Sequence, residues 1–501
     1  MPDTPATIVW FRQDLRVDDH AAVRAAVERR GPTIPVFIWA PAEEGGWPPG
    51  GAARWWLHHS LASLSAALAS RGSPLILRRG PSLAALRALI RETRADRVVW
   101  SRRYEPAARA RDAAVEKSLA ADGVAVETFN SALLFEPHEV TTGDGNPYRM
   151  YTPFWRACCA LAPPAKPQPA PRTLVAPPRP PKSESLAALD LMPTIVWAAG
   201  LRESWQPGEP AASAALARFR RDGVDRYSDE RDFPDRAGTS RLSPHLHWGE
   251  ISPRRLWHAF STPDDGNPPR SRAKPNAPRA QRPTGGREKY LAELGWREFA
   301  YHLLVHFPHS RERPLRAEFD DFPWARDPNA LRAWQRGATG YPFVDAGMRE
   351  LWTTGWMHNR VRMVVASFLV KHLRIHWLEG ARWFWDTLLD ADLANNTLGW
   401  QWSAGCGADA APYFRVFNPT LQGRKFDRDG CYVRTFVPAL ASAPRDLIHE
   451  PWGAPPLALT AAGIELGRDY PRPIVEHAAA RSAALFAYQK FTRARAGRSC
   501  T

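Results

Sequence analysis

The sequence is poor in sulfur and in long apolar runs. It has only five cysteines in 501 residues. Cys158, Cys159, Cys406, Cys431 and Cys500 show neither paired metal-ligand spacing nor the even framework of a disulfide scaffold. That excludes a stapled secreted module and a zinc module, and no metal is expected; a reducing compartment fits. No stretch approaches the roughly 18–20 apolar residues that span a bilayer, so no membrane association is expected. The opening MPDTPATIVWF lacks a basic segment followed by an apolar one, which points to the cytoplasm rather than export. No G-x-G-x-x-G follows the first apolar run, so the dinucleotide fingerprint is missing. No internal repeat is visible.

A single core stops growing near 250–300 residues, so 501 residues predict two domains. With 44% hydrophobic and 24% charged residues the composition is that of a globular protein. The formal charge of +15 fits a polyanionic partner, although an arginine-rich composition alone would also produce it. Many of the 22 tryptophans lie beside Arg, Asn or Asp in the C-terminal half, a combination suited to bases and flavins.

The first third alternates apolar runs with amphipathic segments. Residues 7–11, 33–39, 74–79, 97–102 and 124–129 read as five strands, with helical patterns near 19–30, 51–71, 82–94 and 106–122. Continuous apolar strands between helices predict an α/β domain over 1–135, a doubly wound parallel five-stranded sheet. Residues 136–204 read as a connection, and its Pro-rich part, 161–182, as an extended, semi-rigid linker. From 205 to 501 the pattern is all-α. Ser243–Pro244 and Ser252–Pro253 mark helix starts, with serine as cap and proline in the first turn. Residues 261–286, rich in Pro, Gly and Arg, predict a long mobile loop.

Chemistry-bearing residues concentrate in the helical part. From Asp390 to Lys425 runs DADLANNTLGWQWSAGCGADAAPYFRVFNPTLQGRK, with Asp390, Asp392, Asn395 and Asn396 two to six residues apart, then Trp400 and Trp402. Buried carboxylates, amides and indoles need partners, so this cluster implies a large polar aromatic ligand. In GTSRLSP the hydroxyls of Thr239, Ser240 and Ser243 precede a helix start, which suits a phosphate cradle or simply a capped helix. Glu293, Trp296 and Arg297 share a helix face at i, i+3 and i+4; the plainer reading is a surface Glu–Arg pair. Asn359, Arg362 and Met363 share a face away from Val361, Val364 and Val365, and a buried Asn and Arg there call for a ligand.

TGYPFVDAGMRELWTTGWMHNRVRM, DADLANN, GWQW and APYFRVFNP resemble the photolyase/cryptochrome family. Within it they are most similar to bacterial photolyases acting on cyclobutane pyrimidine dimers, in the class III form. The match runs from VWFRQDLRVDDHAAV to DYPRPIVEH. The resemblance implies an FAD-binding helical domain and a DNA-repair lyase. Excited, fully reduced FAD would pass one electron to a dimer flipped out of UV-damaged DNA, and the dimer would split. FAD would be held by Tyr227, Thr239, Ser240, Arg241, Leu242, Ser243, Tyr290, Asn359, Arg362, Asp390, Asp392 and Asn396, with Asn396 facing N5. Substrate and DNA would meet Arg231, Glu293, Trp296, Arg297, Asn359, Arg360, Met363, Trp402, Gln422 and Lys425. Glu293, Asn359, Met363 and Asn396 are the catalytic set. Trp400, Trp377 and Trp324 match an electron-transfer chain, and Trp352 a second branch. Glu105 and Glu43 are candidates for an antenna chromophore, with methenyltetrahydrofolate favoured. The relatives that act on (6-4) photoproducts carry His around the positions of Asn359 and Met363, which are absent here.

A cryptochrome photoreceptor, with the same fold and FAD but little repair, is the alternative. Asn rather than Asp at 396, and only about 25 residues after Glu476, favour repair over signalling; a monomer is expected. A flavin-free nucleic-acid binder would leave Asp390, Asp392 and Asn396 unexplained.

Overall fold

The computed structural model describes residues 4–261 and 285–498. The expected mobile loop, 261–286, lies outside the described residues except at its ends. The N-terminal part runs β1 (Thr7–Phe11), α1 (Ala21–Glu28), β2 (Thr33–Trp39), α2 (Gly51–Ala69), β3 (Ile76–Arg79), α3 (Ser82–Thr93), β4 (Arg97–Ser101), α4 (Pro106–Ala121) and β5 (Ala125–Phe129). All pairings are parallel, in the order β3-β2-β1-β4-β5. Apolar residues fill both faces, which explains why the strands read as unbroken apolar runs. Ile8, Trp10, Val36, Val98 and Trp100 pack beneath Leu86, Leu89, Val115 and Leu119 of α3 and α4. Val9, Phe11, Phe37 and Val99 face the opposite way, onto α1 and α2. That second cluster continues into Trp248, Trp356 and Leu389 of the helical part, so sheet and helices share a core.

The stretch 136–204 is more than a linker. It carries α5 (Tyr151–Ala160), whose Phe154 and Cys158 are buried with Phe219 and Phe299 of the helical part. The Pro-rich segment is extended as expected, but it is strapped to the α/β domain. Asp19 N–H donates to Gln168 O (2.8 Å), Leu174 N–H to Arg71 O (2.7 Å) and Thr33 N–H to Val175 O (2.8 Å).

The helices used below are α6 (Ser243–His247), α7 (Pro253–Ser261), α8 (Gly286–His306), α9 (Pro342–Thr354), α10 (Asn359–Ser367), α11 (Trp377–Thr387), α12 (Leu393–Ala404), α13 (Pro419–Phe426) and α14 (His477–Arg498). Ser252 caps α7 as expected, its Oγ accepting from Arg255 N–H at 3.0 Å. Ser243 does not cap: it is already helical, and its Oγ accepts from the Trp356 indole at 3.1 Å. Asp392 caps α12 by accepting from Asn395 N–H (2.8 Å), and Gly405, at φ 79°, ends it. Among the described residues no helix is long and apolar enough to cross a membrane, and no group of three or more metal-ligand side chains occurs.

Candidate active site

Three packed helices each leave one stripe open. On α12, Leu393, Ala394, Thr397, Trp400, Gln401 and Ser403 are buried, whereas Asn395, Asn396, Gly399 and Trp402 are not. On α10, Val361, Val364 and Val365 are buried, and Asn359, Arg360, Arg362 and Met363 stay open. On α8, Glu293, Trp296 and Arg297 interrupt a run of buried residues. Helix α12 packs against both α8 and α10, which brings the three helices together. A side chain added at Gly399 would meet nothing within 4 Å. Such an open, amide-, guanidinium- and indole-lined space fits a flat polar ligand.

Contacts tie these residues into one site. The Tyr290 hydroxyl donates to Ser240 Oγ (3.1 Å), and Ser240 Oγ accepts from Leu242 N–H (3.3 Å). The buried Tyr227 ring meets Tyr290 edge-on at 5.4 Å. Arg241, at φ 53°, lies over the indoles of Trp205 and Trp356 (4.3 and 5.1 Å). Thr239 is half-buried beside it. Arg362 is pinned between Met357 O (2.7 Å) and both oxygens of Asp390 (2.8 and 3.0 Å). Asp392 accepts from the Tyr301 hydroxyl and faces His247 at 3.9 Å. Burial opposes its ionisation, but His247, Arg297 and Tyr301 outweigh it and hold the carboxyl well below the usual range. Asn396 donates its Nδ2 to Ala381 O at 2.9 Å, which leaves its Oδ1 as an acceptor.

Among the residues expected to meet substrate, Glu293 pairs with Arg231, and Arg360 reaches Met363 Sδ at 3.8 Å. Trp296 lies stacked on Tyr151 at 3.8 Å, with planes 8° apart. Gln422 shares α13 with Phe426, over which Arg360 sits at 4.6 Å; Lys425 is exposed beside the same ring. Arg297 departs from the expectation. Its guanidinium donates to Ala132 O (2.6 Å) and lies over Tyr301, turned toward the α/β domain instead of the open stripe. The Ala132 carbonyl and the Glu298 carboxylate 3.6 Å away hold it, while Glu293 is already held by Arg231. Helical spacing put Glu293 and Arg297 on one face without fixing their directions.

The indoles follow a burial gradient. Trp400 and Trp377 are buried in one cluster, and half-buried Trp324 packs against it. The His376 ring bridges Trp377 (5.6 Å) and Trp324 (5.2 Å). Trp352, 47% exposed, stacks on Trp383 at 5.9 Å and 8°.

The family description FAD binding domain of DNA photolyase matches residues 290–490, and DNA photolyase matches residues 7–172. The deoxyribodipyrimidine photo-lyase of Agrobacterium fabrum is 50% identical over 97% of this chain and 98% of its own length. The chain belongs to the DNA photolyase/cryptochrome family. Arabidopsis thaliana cryptochrome-1 is 42% identical over 94% of this chain and 68% of its own. The crystal structure of a class III photolyase from Agrobacterium tumefaciens superposes with a TM-score of 0.91 at 48% identity, covering 98% and 99% of the two chains. An archaeal photolyase from Sulfolobus tokodaii, solved with two FAD molecules, gives 0.79 at 27% identity over 97% and 100%. The chain is thus a photolyase-type enzyme of a family that acts on damaged DNA, and its helical domain is an FAD-binding one.

In this photolyase fold a second cavity opens at the carboxyl ends of β1, β2 and β4, where the strand order reverses and ligands of doubly wound sheets bind. Trp10, Glu44, Trp47, Arg103, Glu105 and Arg111 are among its lining residues. Glu105 lines this cavity. Glu43 does not: its carboxylate accepts from Ser82 N–H (2.9 Å) and from the Ser82 hydroxyl, tying up the start of α3. Its neighbour Glu44 faces the cavity, held by Arg103 (2.8 Å) and Arg111 (3.2 Å). Sequence reasoning missed Glu44 because adjacent carboxylates differ only by the turn they occupy. It also missed Trp356, whose indole binds Ser243, and Asp232, which links Arg231 to Arg360.

Proposed function

We propose that this enzyme splits cyclobutane pyrimidine dimers in DNA under light. The observation that carries the reading is the joined open face: Glu293 held by Arg231, with Trp296, Asn359, Met363 and Trp402 on adjoining stripes next to the Arg362–Asp390 pair. The residues present fit FAD on both its sides. Ser240, Ser243 and Arg241 would meet the diphosphate, and Arg362, Asp390, Asp392 and Asn396 the isoalloxazine. Bound, reduced and excited, FAD supplies the single electron that opens the cyclobutane ring and is returned. The chain's own residues position and shield. Arg362 offsets negative charge near the ring while Asp390 fixes its direction. Asn396 presents its Oδ1 as an acceptor because Ala381 takes its N–H. Glu293 hydrogen-bonds the dimer, and Trp296 and Trp402 wall it in, which requires Tyr151 to share or yield the Trp296 face.

Trp400, Trp377 and Trp324 would carry electrons inward to reduce the cofactor, with Trp352 and Trp383 as a second branch. The cavity holding Glu105 would take an antenna chromophore, with methenyltetrahydrofolate favoured. The protein would work as a monomer in the cytoplasm, with the nucleoid.

The 42% identity to a plant cryptochrome favours one other reading, a photoreceptor with little repair. Purified protein is expected to carry FAD and to restore dimer-containing DNA under near-UV or blue light but not in darkness. A flavin-loaded protein that binds DNA yet repairs nothing in light would establish the photoreceptor instead.

A further inference from the structure

Arg231 and Arg360 are joined by a carboxylate to which the repair reading gives no role. Asp232 Oδ1 lies 3.9 Å from Arg231 Nε, and its Oδ2 lies 2.9 Å from Arg360 Nη2. Arg231 also reaches Glu293, so Glu293, Arg231, Asp232 and Arg360 form a chain of alternating sign and zero net charge. The chain crosses from the segment after Tyr227 to both α8 and α10. Each guanidinium also rests on a ring, Arg231 on Tyr227 at 5.2 Å and Arg360 on Phe426 at 4.6 Å. The two arginines are mostly buried, at 14% and 20% side-chain exposure, whereas Asp232 keeps 35% and is the most solvent-accessible of the four.

We propose that Asp232 is a positioning residue that sets discrimination between damaged and undamaged DNA. The inference rests on the pocket being the dimer site. A chain of net charge +15 attracts any phosphate backbone, and that attraction carries no choice. Choice needs an element that works against the wrong partner. Phosphates of undamaged duplex must compete with Asp232 for both guanidiniums. A flipped dimer instead meets arginines already pointed and a Glu293 already held in place by Arg231. The contacts are far shorter than the roughly 10 Å screening length at 0.1 M salt, so they persist where the long-range field is damped.

The test compares FAD-loaded wild type, Asp232→Asn, Asp232→Glu and a charge control, Asp225→Asn, in the dark. Asp225 is 82% exposed and lies 3.7 Å from Arg287. Affinity for dimer-containing and undamaged duplex of one sequence is read across a salt series. In Asp232→Asn, undamaged duplex should bind about threefold tighter and dimer several-fold weaker, so the ratio falls about tenfold. The log–log salt slope for undamaged duplex should steepen by about one. Asp232→Glu should restore most of the ratio, and Asp225→Asn should leave it alone. A ratio within twofold of wild type in Asp232→Asn, or an equal fall in Asp225→Asn, overturns the proposal. Loss of flavin in both Asp232 variants does the same, because the carboxylate would then serve folding. If wild type shows no preference for dimers at all, the dimer-site reading fails, and the salt slopes still judge Asp232.

Discussion

In the proposed repair, Glu293 is the residue that would recognise the dimer. It is half-buried, held by one guanidinium and otherwise turned to the open face. Replacing it with Ala should weaken dimer binding about ten- to hundredfold, since a hydrogen bond to a charged group is worth roughly 1.5–3 kcal/mol. Light-driven yield should fall several-fold while flavin absorbance is retained; complete loss of flavin would contradict the role. The role proposed for Trp400 would separate redox supply from repair. Trp400→Phe should abolish photoreduction of oxidised enzyme, followed by absorbance, and spare repair by enzyme reduced chemically beforehand. Most of these residues were legible because they sit in long motifs. Their partners were not: Arg231 lies 62 residues from Glu293, and no spacing rule links them. Arg297 was misplaced for the matching reason, since periodicity gives a face and tertiary partners give the direction.

At the scale of elements, the site depends on how closely helices approach. Gly380 of α11 lies against Trp400 of α12, and a Cβ there would sit 2.0 Å from the indole. Gly380→Ala should therefore cost about 1–3 kcal/mol of stability. It should also slow photoreduction, because the ring must move; thermal unfolding and transient absorption read the two effects. Helix α10 starts at His358, whose ring accepts from Arg360 N–H at 3.2 Å, while Glu350 of α9 accepts from His358 N–H at the same distance. The strands and first four helices were legible to within about two residues because their apolar periods are unbroken. The strap over 161–182 was legible as extended chain. That it lies down on the α/β domain was not, because backbone bonds such as Asp19 to Gln168 leave no mark on side-chain pattern.

For the whole molecule, buried ionisable groups set the response to pH. Burial pushes Glu298 and Glu350 up to about 7, from 4.5 in an unfolded chain. Their stabilising effect is complete below about 4.5 and is lost as pH rises through 7. Burial, with lesser help from neighbours, holds His302 and His358 down to about 4, from 6.5. Their contribution is present above 6.5 and disappears as pH falls toward 4. Glu298→Gln keeps an acceptor for Leu134 and Phe135 N–H, so it should raise Tm at pH 8 and do little at pH 5. A lower Tm at pH 8 would sink this account. The same interface has a consequence for synthesis on the ribosome. Arg16 donates to Gly249 O, Leu15 N–H to Trp248 O, and the N–H groups of Leu134 and Phe135 wait for Glu298. The sheet emerges complete by Phe129, yet these donors gain their partners only after more than a hundred further residues are made. At about 5–20 residues per second that is on the order of ten seconds. The early half must spend that interval with its future seam wet, so holding factors at the exit tunnel are expected to meet the segments after β1 and β5, around Leu15–Arg16 and Leu134–Phe135, that later receive the helices.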